Sequence, residues 1–301
     1  MMQPFTGANL ASLRKRNQLV LNTLYSSFQK LQKVVEFIGY VKTSTDDIDL
    51  IVILSDDKNE KKDINLSQIR REFEKTFDNA IQELVRKYGL HVYIYPHFRD
   101  RALYELLKYC DIHNYYKEDN LSKTILIQLH YFETYNNFVR ITFPMVAKTI
   151  VINLQPIVGE VTKLKQIVDK IPTPTLYDCL EFLKGILYDL RCFLMLPTID
   201  DVYHNIYSIF INSLLYRIFY VVRYLTLYIL YFEYKISIEN LLTWDMLKNE
   251  IKRITDQDLI SLFNKVYSWK FGGVEPTLNE IKELLDKILI YIQNYRLNRE
   301  E

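Results

Sequence analysis

The segment Asp47-Ile48-Asp49-Leu50-Ile51-Val52-Ile53-Leu54 constrains this chain more than any other. Two acidic residues spaced two apart open an apolar run, and the polar stretch SDDKNEKKD (55–63) ends it. Such a run reads as a β-strand followed by a solvated loop. Alternate residues of a strand share a face, so Asp47 and Asp49 project together. Like charges held that close repel each other, and a cation between them relieves the cost. Mg²⁺, or Mn²⁺ in its place, suits such a pair, because it takes oxygen ligands from one or two carboxylates plus substrate phosphates.

The flanking segments predict a mixed α/β half. Leu10, Leu13, Leu19, Leu21, Leu24, Phe28, Leu31 and Val34 recur at helical spacing over 10–35. A short apolar stretch, Val34 to Ile38, leads to Gly39. Residues 66–88 predict a second helix with Ile69, Phe73, Phe77, Ile81, Leu84 and Val85 on one face, and Gly89 is a fitting stop for it. His91 to Tyr95 reads as a strand ended by Pro96, and 100–118 as a helix. Thr124 to Phe132, Phe138 to Phe143 and Thr149 to Leu154 are rich in β-formers, and are expected to extend the sheet or form a small subdomain.

IPTPT (171–175) reads as a linker. Beyond it helices are predicted over 176–194, 199–233, 238–252, 256–268 and 277–297, with Thr277 and Glu280 as a capping box. Long amphipathic helices joined by short loops predict an up-down bundle. The expected domains are therefore an α/β unit over 1–160 and a helical bundle over 170–301.

Phe37-Ile38-Gly39-Tyr40, a short loop, then Ser44-Thr45-Asp46-Asp47-Ile48-Asp49-Leu50-Ile51-Val52 resembles the signature of the nucleotidyltransferase superfamily, which includes DNA polymerase beta and the minimal nucleotidyltransferases. That signature is an apolar strand, Gly-Ser, a variable loop, and Asp-x-Asp opening an apolar strand. The resemblance covers roughly residues 10–100. It implies an α+β fold, with a nucleotidyltransferase-like mixed sheet and flanking helices followed by an all-α helical bundle domain. It also implies Mg²⁺-dependent transfer of a nucleoside monophosphate from a nucleoside triphosphate onto a hydroxyl acceptor, whose identity the resemblance leaves open. Asp47 and Asp49 would be the catalytic and metal-binding residues. Gly39, Tyr40, Lys42 and Ser44 would line the nucleotide phosphates, and the bundle would help bind an acceptor or partner.

Three departures stand beside the resemblance. Tyr40 occupies the position of the family's serine. Gly39 and Asp47 are eight residues apart, a short spacing for the family. The strand expected to carry a third carboxylate, HVYIYP, has Tyr93 in that slot, flanked on its face by His91 and Tyr95. Tyrosine ionises near pH 10 and is a poor base or metal ligand at neutral pH. Asp100 or Glu133 could stand in through a different geometry. The alternative is thus a catalytically degenerate relative used for nucleotide sensing or protein interaction. A glycosyltransferase-type Asp-x-Asp is disfavoured, because that motif ends a strand and here it opens one.

Composition narrows the remaining classes. A formal charge of +1, from 38 basic and 37 acidic residues, gives no overall pull toward nucleic acid or acidic membrane. Three cysteines without CxxC argue against a disulfide framework and fit a reducing, cytoplasmic setting. The apolar stretch Ile206 to Phe232 is interrupted by Arg217 and Arg223, so it predicts a buried helix with no membrane span. Those arginines are expected to snorkel or pair with an acid at the edge of the bundle. The aromatic surface around them favours a homodimer through the helical domain. Seven glycines against 24 tyrosines resemble the output of an AT-rich genome, such as that of an archaeon or its virus. Five histidines show no HExxH or paired spacing. Arg14-Lys15-Arg16 is expected to be a solvated basic face.

Overall fold

Apolar runs interrupted by polar loops give the described residues one mixed sheet and a large helical complement. The computed structural model describes residues 7–41, 47–56, 66–96, 124–194, 204–274 and 276–297. Two compact units are present, one of Thr6–Thr173 and one running from Pro174 onward, and their boundary falls inside 171–175.

The first unit contains α1 (Gly7–Phe28), β1 (Phe37–Val41), β2 (Asp47–Ser55), α2 (Leu66–Tyr88), β3 (His91–Pro96), β4 (Thr124–Thr134), α3 (Tyr135–Ile141), α4 (Pro144–Asn153), β5 (Leu154–Val158) and α5 (Val161–Asp169). The five strands are ordered β3-β4-β2-β1-β5. β3 and β4 run parallel, as do β4 and β2, whereas β1 is antiparallel to both β2 and β5.

Period-two alternation sorts β2 between two cores. Ile48, Leu50, Val52 and Leu54 pack with Val20, Leu24 and Phe28 of α1 and Phe73, Phe77 and Leu84 of α2. Phe28, Phe73 and Phe77 lie within 5.7–6.1 Å of one another, the offset ring spacing that aromatic cores favour. Ile51 and Ile53 face the other way, onto Tyr135 and Phe138 of α3, Ala147 and Val151 of α4, and Leu164 and Val168 of α5. Both faces of the sheet are therefore covered along the second half of β2.

Two expected strands are corrected. The segment 138–143 lies largely in α3, and 149–154 lies mostly in α4. Their aromatic and β-branched residues suit a strand, but local start signals and burial override that preference. The Thr134 hydroxyl accepts a hydrogen bond from the Asn137 amide at 3.3 Å and caps α3. Pro144 occupies the first turn of α4, where its missing N–H costs nothing. The strand of this region is instead β5. The short α5 has no counterpart among the expected elements, although Leu164 and Val168 sit four apart on its buried face. The expected helix over 100–118 lies outside the described residues.

The second unit is helical throughout its described residues: α6 (Leu176–Leu194), α7 (His204–Phe232), α8 (Trp244–Glu250), α9 (Gln257–Phe271) and α10 (Leu278–Leu297), with short 3₁₀ turns at Ile238–Asn240 and Ile251–Arg253. α7 packs against α6, α8, α9 and α10. Its residues from Val221 to Leu230 are buried almost all round, apart from Arg223. Among the described residues no helix is long and apolar enough to cross a membrane. Arg223 donates to the Leu242 carbonyl and lies 5.5 Å from the Tyr224 ring, so a backbone oxygen supplies the partner expected from an acid. Thr277 and Glu280 form the reciprocal capping box, Thr277 N donating to Glu280 Oε2 at 2.8 Å and Glu280 N to Thr277 Oγ1 at 3.3 Å.

Candidate functional site

Asp47 is the first residue of β2, and Asp49 follows it two positions on. Asp49 is flanked by Val41 of β1 and Gln128 of β4. One pleat further along β4, His130 pairs in register with the buried Ile51. The His130 ring leans back toward the carboxylate, with Nε2 3.7 Å from Asp49 Oδ1. Both side chains are largely covered, 14% exposed for His130 and 22% for Asp49. They lie on the face that carries the Ile51–Ile53 core, where that apolar cover gives way to polar groups.

The third-carboxylate expectation needs correction. β3, with Tyr93, is an edge strand, and β4 separates it from β2. The strand beside Asp49 is β4, and the residues it brings near that carboxylate are Gln128 and His130. Glu133, the suggested stand-in, pairs with Arg70 of α2 at 3.2 Å. It shares the parity of Ile125 and Ile127, which pack with α1 and α2, and so lies across the sheet from Asp49. Asp100 lies outside the described residues.

Of the residues expected to hold phosphates, Gly39 and Tyr40 are described. Gly39 is the middle residue of β1, with strands on both sides. A Cβ there would come within 2.7 Å of Phe37 Cζ and 2.9 Å of the Gln155 carbonyl. The register between β1 and β5 also slips at Ile38/Gly39. Close backbone approach at an irregular ladder thus accounts for this glycine. Tyr40 packs against the core shared with α1 and α2, on the face opposite Asp49. Lys42 and Ser44 lie outside the described residues. In the basic cluster Lys15 is exposed, but Arg16 is buried and donates to Asn17 Oδ1 at 2.8 and 3.0 Å, so the cluster is not wholly a solvated face.

A second polar cluster sits at the far end of β1 and β2. Lys163 donates to Glu36 and lies 3.0 Å from Asp56, and Tyr135 OH donates to Glu36 at 3.3 Å. Partial burial pulls the Lys163 ammonium down, but the carboxylates of Glu36 and Asp56 outweigh it and hold its pKa above the ordinary lysine value. Beside this cluster lies an open cavity of about 410 Å³ lined by Val35, Glu36, Ser55, Asp56 and Gln68. Of its three acidic lining residues, Glu36 and Asp56 are engaged by Lys163, and Glu72 is the third.

Among the described residues no three His, Cys, Asp or Glu side chains gather closely enough to hold a metal ion. The described donors at the candidate site are the Asp49 carboxylate and the His130 imidazole. His130 was not singled out from the sequence as a partner of Asp49, because only the β2–β4 register brings them together. The chain matches no known family model, and no curated protein is significantly similar to it.

Proposed function

We propose that this chain is a nucleotidyltransferase-like protein that moves a nucleoside monophosphate onto a hydroxyl with the help of a divalent cation. The observation that carries the reading is Asp49, near the start of a central strand, two residues after Asp47, between an antiparallel β1 and a parallel β4. Asp47 and Asp49 would hold Mg²⁺ or Mn²⁺, which would neutralise the triphosphate and the charge developing on the leaving group. The acceptor oxygen would attack the α-phosphorus, the bond from that phosphorus to the bridging oxygen would break, and pyrophosphate would leave. The helical unit, read as a bundle, would present the acceptor or a second copy of the chain. Its setting is read as cytoplasmic.

A second reading is favoured by β4. Gln128 and His130, rather than a carboxylate, stand beside Asp49, so no acidic general base adjoins it among the described residues. The domain would then bind nucleotide as a sensor without transferring it. Calorimetric titration with ATP and GTP, with and without Mg²⁺, on wild type and Asp49→Ala tests the shared core of both readings. Mg²⁺-dependent binding lost in the variant supports it, and unchanged binding refutes it. Pyrophosphate release then separates transferase from sensor.

A further inference from the structure

We propose that the helical unit carries a binding surface for single-stranded nucleic acid, formed by Trp244, Tyr267 and Phe271 with Lys248 and Lys270. The inference concerns that unit alone and does not depend on the assignment of Asp49. Local sequence builds the surface. Phe263, Tyr267 and Phe271 recur at four-residue spacing and share one face of α9. Trp244 opens α8, where the Thr243 hydroxyl caps the helix by accepting from the Met246 amide at 3.2 Å. The Trp244 ring lies 5.5 Å from Phe263, 6.4 Å from Tyr267 and 6.0 Å from Phe271, and Tyr267 and Phe271 are 4.7 Å apart. The ladder climbs out of the core: Phe263 is buried, Trp244 and Tyr267 are half-buried, and Phe271 is 46% exposed. Asp245 accepts from Tyr267 OH at 3.0 Å and so holds that ring from its edge.

Cations accompany the rings. Lys248 Nζ lies 4.1 Å from the Tyr267 centroid, and Lys270 Nζ lies 5.5 Å from that of Phe271 and 5.1 Å from that of Phe219 in α7. All three distances are within cation–π reach, so charges and rings form one surface. A single strand matches this combination, because its bases offer π-faces and its backbone offers a phosphate beside each base. The pull is local, since the chain as a whole is near neutral. Two other occupants fit less well. An apolar partner would take both ammonium groups out of water. A second copy related by a two-fold axis would bring the same two cations of each chain into one interface.

A fluorescein-labelled oligothymidine is the probe, added to the full-length protein without nucleoside triphosphate or divalent metal and followed by anisotropy. Binding is expected at about 50 mM salt, with log K falling against log salt at a slope of about −1.4, the value for two phosphates of a single strand. Phe271→Ala should weaken binding by about 5-fold or more, the loss of one stacked base. Lys248→Ala should make the slope shallower by about 0.7. The strand should also quench tryptophan emission, because Trp244 is one of two tryptophans in the chain. That readout uses the wild type, so the answer does not depend on a variant folding. No binding at low salt overturns the proposal, as does binding that leaves the emission unchanged or an affinity unchanged in Phe271→Ala. A dimer in sedimentation that Phe271→Ala dissociates also overturns it, since a second copy would then cover the surface.

Discussion

Gly159 Cα sits so close to the Glu36 carbonyl oxygen that an added Cβ would lie 2.3 Å from it. Gly159 also adopts φ +74°, a left-handed conformation that glycine accepts readily. It follows β5 directly and brings the chain back over the start of β1, where Glu36 joins the Lys163 cluster. Gly159→Ala combines backbone strain with a clash against backbone. A loss of about 2–4 kcal/mol in urea denaturation is expected, of which strain supplies about 1–2 kcal/mol.

Gly39→Ala should destabilise by a different route. Its φ is unstrained, but the new methyl would press on the buried Phe37 ring and the Gln155 carbonyl. Overpacking of this kind costs about 1–3 kcal/mol. Thermal unfolding of the variant measures it. A neutral result would mean that β1 and β5 part easily at the slipped register.

Lys163→Met should lose about 1 kcal/mol or less at pH 7, since the pair it breaks is partly solvated. The sign with pH follows from the raised lysine pKa. The contribution is fully present below the ordinary value of 10.5 and disappears as pH rises through the higher folded value. The gap between wild type and variant should hold from pH 7 to 10 and close above it, as measured by denaturant titration at each pH.

Cys179 should resist alkylation in the folded protein. It is buried within α6, and burial pushes its thiol up to about 12, with the Asp178 charge adding to the effect. At pH 8 the reactive thiolate is then scarce as well as inaccessible. Peptide mapping after iodoacetamide treatment should find Cys179 unmodified until denaturant is added.

Asp256→Ala should cost about 2 kcal/mol, more than the loss of a helix cap alone. One carboxylate oxygen accepts from the Leu259 amide at 2.9 Å and caps α9, and the other accepts from Tyr291 OH of α10 at 2.6 Å. Burial raises the Tyr291 pKa, and its hydrogen bond to Asp256 raises it further. Asp256→Asn keeps the cap acceptor and should lose less, a contrast that paired melting curves can resolve.

Local pattern made much of this molecule legible. The apolar run of β2, the one-sided helix α2 and the Thr277–Glu280 cap are each written in short stretches of sequence. Segments 138–143 and 149–154 carry strand-forming residues that serve helices once Phe138 and Val151 are buried. The place of Asp49 near the start of β2 was legible, and the place of His130 beside it was not. A residue on a distant strand is matched to its neighbour by register, and register is decided by which strand inserts where. HVYIYP follows α2 in the chain, so it was expected to supply the third carboxylate slot, yet β4 takes the place beside β2.

That insertion bears on how the protein is made. β2 and β3 are separated by the width of a strand, about 9–10 Å between their axes, and the strand that fills the gap is made later in the chain than either. A nascent chain that has emerged as far as β3 has both banks of the gap and nothing to bridge them. A fragment ending near residue 100 would carry every residue of the Asp-x-Asp signature and still leave β2 with one bare ladder edge. It should therefore behave as an insoluble or unfolded polypeptide, and the shortest length worth expressing extends through Thr134 and the helices that cover it.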